Sequence, residues 1–243
     1  MIKTVLFDLD GTLLPLEQEE FAHEYFKNLC LRIGNLVDSK KFIQQLLSST
    51  EAMVKSGDKD KTNQQVFFED FMPNIGIAAE VLEPIFDDFY ENDFVKVKPV
   101  TRPNMTARQA VMAVTELGLE VVLATNPIFP LNAVKQRIQW AGLADVNFKH
   151  ITSYEDCHFC KPNPEYYWEI LECIGRRPEE CLMVGNDVEE DLAAAKTGMK
   201  TYLVTDCLIN AKKLDFRADY QGTLQELAQN ITGIINAENG SVA

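Results

Sequence analysis

The chain has 243 residues, 46% of them hydrophobic and 25% charged, an ordinary globular balance with enough apolar side chains for a real core. Its 37 acids against 23 lysines and arginines leave a net charge of -14, a field that repels phosphate backbones and anionic lipid and so speaks against nucleic-acid and membrane partners. The first ten residues already carry acids, no run approaches the roughly 20 apolar residues of a membrane span, and the six cysteines lack the spacing of a disulfide scaffold, so a cytoplasmic chain without a leader is expected.

Thr4, Val5, Leu6 and Phe7 form a short run of β-formers that predicts a buried strand. From 17 to 96 the texture changes. Apolar residues recur at helical spacing (Phe21, Tyr25, Phe26; Phe42, Leu46, Leu47; Phe67, Phe68, Phe71; Val81, Ile85, Phe89), and nine of the chain's 14 phenylalanines lie there. A helical insert with its own aromatic core is expected, splitting an α/β body made of 1–16 and 97–243. In that body, apolar runs at 120–124, 181–184 and 200–204, with a weaker one at 148–152, alternate with helical stretches at 107–117, 131–141, 165–174 and 189–197. Short apolar runs joined by helices predict a doubly wound, Rossmann-like parallel sheet. Asn163-Pro164-Glu165 is a helix start, and Gly118, Gly142, Gly175 and Gly198 fall where helices should stop. The small polar residues 236–243 read as a frayed end.

The strand ends carry the chemistry. Asp8 and Asp10 close the first run, on one side of an extended segment and close enough to share a cation, with Gly11 letting the chain turn away. Thr125 and Asn126 close the second and offer donors suited to phosphate oxygens. Lys161 precedes Pro162, which keeps it out of a helix. Asn186, Asp187, Glu189, Glu190 and Asp191 follow the strand at 181–184. Each has an ordinary reading as turn chemistry, a solvated lysine or a helix cap. Together, at the carboxyl ends of successive strands, they point to one site.

The ordered set Asp8-Leu9-Asp10-Gly11-Thr12, Thr125, Lys161-Pro162-Asn163-Pro164 and Gly185-Asn186-Asp187-Val188-Glu189-Glu190-Asp191 resembles the four motifs of the haloacid dehalogenase (HAD) superfamily, and the insert resembles a class I helical cap. The resemblance implies a phosphatase acting on a small phosphorylated metabolite. Asp8 would be the nucleophile that forms an aspartyl-phosphate, and Asp10 the acid and then the base. Thr125, Asn126 and Lys161 would hold the phosphoryl group. Mg²⁺ would be bound by an Asp8 oxygen, the Asp10 carbonyl and the fourth motif. Dehalogenases of the family typically lack the second Asp, so Asp10 favours phosphoryl chemistry. A sugar-phosphate mutase shares all four motifs, and a non-catalytic binding protein on the same fold is the reading from another class.

The fourth motif departs from the usual pattern, because Asn186 stands where an acid is common. Mg²⁺ prefers anionic oxygen, so Asp187 is expected to be the charged ligand rather than Asn186, with Asp191 holding Lys161 or a bound water. The insert's aromatics are expected to be packing core rather than pocket wall. Cys157 and Cys160 read as an ordinary loop, since no second ligand pair exists for zinc, and His23 and His150 carry no signal.

Overall fold

In β1 (Thr4–Phe7) all four side chains are buried, as in a strand covered on both faces. The structure is a computed structural model that describes residues 1–240. β2 (Glu120–Leu123), β3 (His150–Ile151), β4 (Cys181–Gly185), β5 (Lys200–Val204) and β6 (Tyr220–Gly222) join β1 in one sheet of order β3-β2-β1-β4-β5-β6. Every pairing is parallel.

Alternation along the strands splits the core in two. Val5, Phe7, Val121, Leu123, Leu182 and Val184 point to one face and join the larger cluster, which also holds residues of α5 (Met105–Glu116), α6 (Leu131–Trp140) and α8 (Leu224–Glu238). Leu6, Val122, Cys181 and Met183 point to the other, against α7 (Pro164–Ile174). A sheet with helices on both faces is the doubly wound arrangement expected from the alternating texture. The Asn163 side chain accepts from the amide of Glu165 at the start of α7, and Gly175 ends that helix in the left-handed region.

Between β1 and α5 the chain is helical: α1 (Gln18–Ile33), α2 (Ser39–Lys55), α3 (Asn63–Ile75), α4 (Ala79–Asp88), then a π-helical turn and a 3₁₀ segment reaching Val100. Leaving and returning strands are stitched side by side, with Leu16 bridged to Thr101 and the Arg102 amide donating to the Pro15 carbonyl at 2.7 Å. The helices therefore stand over the carboxyl edge next to β1. Among the described residues no helix is long and apolar enough to cross a membrane.

Three local expectations are corrected. The stretch 189–197 is not an α-helix: after a tight turn, only Leu192–Thr197 winds, as 3₁₀. The Asp187 carboxylate accepts from the amides of Glu189 and Glu190 at 2.7 and 2.9 Å, which commits those residues to a turn rather than a helical start. The run at 148–152 pairs over only His150–Ile151. Residues 236–238 are not frayed, because α8 continues through Glu238, and 241–243 lie outside the described residues. The signal for α8 is in the sequence: Thr223 and Glu226 form a capping box, and Leu224, Leu227, Ile231 and Ile235 make a buried stripe.

Candidate active site

Register brings the motifs together. Phe7 pairs with Leu123 on one side and Val184 on the other, so the next residues, Asp8, Ala124 and Gly185, emerge side by side at the carboxyl edge. This is where the order reverses around β1, the place where such sheets bind ligands. Gly11 takes a left-handed φ of 83°, and a Cβ there would run into the Asn186 amide. A Cβ at Gly185 would likewise collide with the Asp191 carboxylate. Both glycines let backbone and acid share one space.

Lys161 is fully buried and its ammonium bridges Asp8 Oδ1 at 2.8 Å and Asp191 Oδ1 at 2.6 Å. Burial opposes its charge, yet Asp191 and Asp8 overcome that and hold its pKa well above the usual lysine range. The other Asp8 oxygen accepts from Thr12 Oγ1 at 3.1 Å, and the same hydroxyl lies 2.9 Å from Asn186 Oδ1. Burial pushes the Asp8 carboxyl up to about 7, against Lys161, with Asp191 and Asp10 adding repulsion. Burial also raises Glu190, to about 8, and raises Asp10 and Asp187 above the ordinary aspartate value.

Asp8, Asp10, Thr125, Asn126, Asn186, Asp187, Glu190 and Asp191 all line one cavity of about 370 Å³. Within it, Asn126 is bound at both ends: Nδ2 donates to Glu190 at 3.0 Å and Oδ1 accepts from the Lys161 amide at 3.2 Å. Asn186 is similarly engaged, donating from Nδ2 to the Cys207 carbonyl at 2.6 Å while Oδ1 meets Thr12. Asp187 uses one oxygen on the turn amides, and Asp191 Oδ2 accepts from the Asp187 amide at 2.9 Å. Cys157 and Cys160 are buried, unpaired thiols whose pKa burial drives far up, so they hold neither a disulfide nor a thiolate.

Glu190 reads in the sequence only as one acid in a run of acids, and one further participant escapes the sequence reading. That participant is Arg137: wholly buried on α6, it pairs with Asp10 Oδ2 and stacks over Phe129 with 4.5 Å to the ring centroid. Its signal is positional. Ala133, Val134 and Ile138 are the buried stripe of that helix, and an arginine inside the stripe needs a partner.

Donor chemistry bears on a cation. The carboxylates are hard oxygens, several have pKa values raised by burial, and Asp10 Oδ1 is buried without a partner. Among the described residues no three acidic, histidine or cysteine side chains converge on one point. A divalent ion would thus take backbone carbonyls and waters beside one or two carboxylates, as Mg²⁺ does. The donors fit such an ion.

Known proteins resemble this chain in sequence and fold. A pyrophosphatase PpaX from Anoxybacillus flavithermus is 27% identical over 206 residues, covering 82% of each chain. A glyceraldehyde 3-phosphate phosphatase from Methanopyrus kandleri is 27% identical over 208 residues and covers 83% of each. The crystal structure of a HAD phosphatase from Thermococcus onnurineus shares the fold, with a TM-score of 0.59 at 21% identity over 96% of this chain and 99% of that one. Residues 2–198, from β1 past the acidic turn, match the family described as haloacid dehalogenase-like hydrolase, and this chain belongs to that family of enzymes.

Proposed function

We propose that the protein is a Mg²⁺-dependent phosphatase that hydrolyses a small phosphomonoester through an aspartyl-phosphate on Asp8. The observation that carries this reading is the Asp8 carboxylate, held between Lys161 and Thr12 at the floor of the cavity with Asp10 beside it. Asp8 attacks phosphorus, and the ester oxygen leaves with a proton from Asp10. Asp10 then takes a proton from the water that cleaves the acyl phosphate. Lys161 fixes the attacking carboxylate and meets the growing charge on the phosphoryl oxygens. Asp8, the Asp10 carbonyl and Asp187 would hold the divalent ion, which would supply charge neutralisation at the phosphoryl group. Asp187 is preferred to Asn186 because both ends of the Asn186 amide are already bound. Thr125 contacts phosphoryl oxygens, and Asn126 orients Glu190 and the Lys161 backbone. Unpaired cysteines suit a reducing compartment, and we place the chain in the cytoplasm.

Release of inorganic phosphate from acetyl phosphate with Mg²⁺, and its loss in chelator, is the test. No release under any divalent ion would remove the phosphatase reading and leave the fold a binding protein.

Charge imbalance predicts a pH effect on the metal-free protein. Asp8 and Glu190 have folded pKa values of about 7 and about 8, above their ordinary values of 3.8 and 4.5. Between those limits the folded state binds more protons than the unfolded chain. Stability is therefore greatest in acid and declines as pH rises from 5 to 8, by roughly 1.4 kcal/mol per pH unit for each proton involved. Chemical denaturation in chelator should show this decline, and Mg²⁺ should flatten it. A metal-free protein more stable at pH 8 than at pH 5 would contradict the assignment.

Arg137 tunes Asp10. With the guanidinium gone, Asp10 loses its attractive partner and its pKa rises further. Arg137→Met should move the alkaline limb of the kcat/KM profile for an alkyl phosphate upward by about one unit, and Arg137→Lys should restore much of it. Identical limbs in all three proteins would mean that Arg137 is only a packing element.

A further inference from the structure

The end of the cavity away from Asp8 differs from its floor. Above the carboxylates it is walled by Phe26, Leu47, Phe68 and Phe86 from the helices that follow β1, and by Ile128 and Phe129 from the segment after β2. Among the described residues no lysine, arginine or histidine lines the cavity, whereas five carboxylates do. The two nearby cations are spent, Lys161 on Asp8 and Asp191, and Arg137 on Asp10. Few polar groups interrupt the upper wall: Tyr25 and Tyr90 share a hydrogen bond at 2.8 Å between their hydroxyls, Thr50 donates to the Leu46 carbonyl at 2.8 Å, and Gln18 and Tyr154 are the other polar side chains there.

The expectation that the aromatics are only packing core is therefore corrected in part. Phe42, Phe71, Phe89 and Phe94 are buried in the helical core, while Phe26, Phe68 and Phe86 reach the cavity. Helical spacing has both consequences, because one flank of each stripe meets its neighbour helix and the other overlooks the carboxyl edge of the sheet.

We propose that the physiological substrate is the phosphomonoester of an uncharged, apolar alcohol, aromatic or branched aliphatic. This rests on the phosphatase reading above and names its substrate class. A leaving group with its own carboxylate or second phosphate would sit among acids with no cation to meet it. A polyol would bury hydroxyls against phenylalanines without partners. An apolar alcohol instead removes its surface and the wall's from water. The sugar-phosphate mutase alternative loses ground on the same observation.

The test compares benzyl phosphate, glycerol 1-phosphate and 2-phosphoglycolate, alkyl esters of similar intrinsic reactivity, with acetyl phosphate as a donor whose small leaving group makes little use of the wall. Benzyl phosphate should exceed the other two esters in kcat/KM by about 100-fold or more, since even one methylene in an apolar pocket is worth 10-fold or above. Leu47 lines the cavity and is half exposed on α2, so Leu47→Arg should fold. That variant should cut the preference for benzyl phosphate over 2-phosphoglycolate by about tenfold. Equal or inverted rates for the esters, with acetyl phosphate still hydrolysed, would overturn the substrate class and leave the phosphatase. Failure on acetyl phosphate as well would overturn both.

Discussion

Asp8→Asn should lower phosphate release by at least about 10⁴-fold while the protein remains folded, because the amide is neither a nucleophile nor an anionic metal ligand. The site can absorb the exchange. Lys161 still finds an oxygen where Asp8 Oδ1 stands, and Thr12 can turn its proton to Asn186 Oδ1 and accept from the new amide nitrogen. Asp8 is a buried carboxyl whose ionised form is disfavoured, with a pKa near 7. Removing its charge should hold or raise the melting temperature of metal-free protein at pH 8. Activity within about tenfold of wild type would eliminate the covalent mechanism. Lost activity accompanied by lost near-UV dichroism would show only that the fold had failed.

Lys161→Met should cost both stability and turnover. The ammonium is the shared counter-ion of Asp8 and Asp191, and without it two buried carboxylates face each other. Breaking a buried charge set by removing one partner costs about 3–5 kcal/mol. In a chain of this length that is a fall of roughly 10 °C in Tm. The penalty should depend on pH. Near pH 5 the orphaned Asp8 carboxyl protonates and the repulsion fades, whereas at pH 8 it is driven to ionise. Melting curves in chelator should therefore separate from wild type more widely at pH 8 than at pH 5. Equal separation would show that Lys161 contributes packing and little charge. Turnover should drop about 10³-fold at either pH, since the cation that holds the Asp8 carboxylate is gone.

The core strands were legible because each is a short apolar run, buried on both faces, that ends abruptly in polar residues. Asp8, Thr125 and the acidic run at 186–191 were legible by the same break, as the last apolar side chain hands over to the strand's carboxyl end. β6 was not. Tyr220, Gln221 and Gly222 form an edge strand with one neighbour, and such a strand needs no apolar run. The 3₁₀ form of Leu192–Thr197 was hidden too, because it depends on the Asp187 and Asp191 side chains binding turn amides.

What the amino-acid order determines by itself is local or periodic: buried runs, helical stripes, caps, and the residue types waiting at strand ends. Those suffice for an α/β body with a helical insert, and for a resemblance carried by four motifs. What only the tertiary structure decides is pairing across the chain. Asp10 and Arg137 are 127 positions apart, and no periodicity links them; they meet because β1 and α6 flank the same edge of the sheet. The choice between core and cavity for each phenylalanine is of the same kind. It is set by where α1 to α4 come to rest over that edge, a balance of packing and burial summed over many residues. Sequence could thus name the groups proposed to act on phosphorus, while the apolar wall of the cavity exists only once the helices are in place.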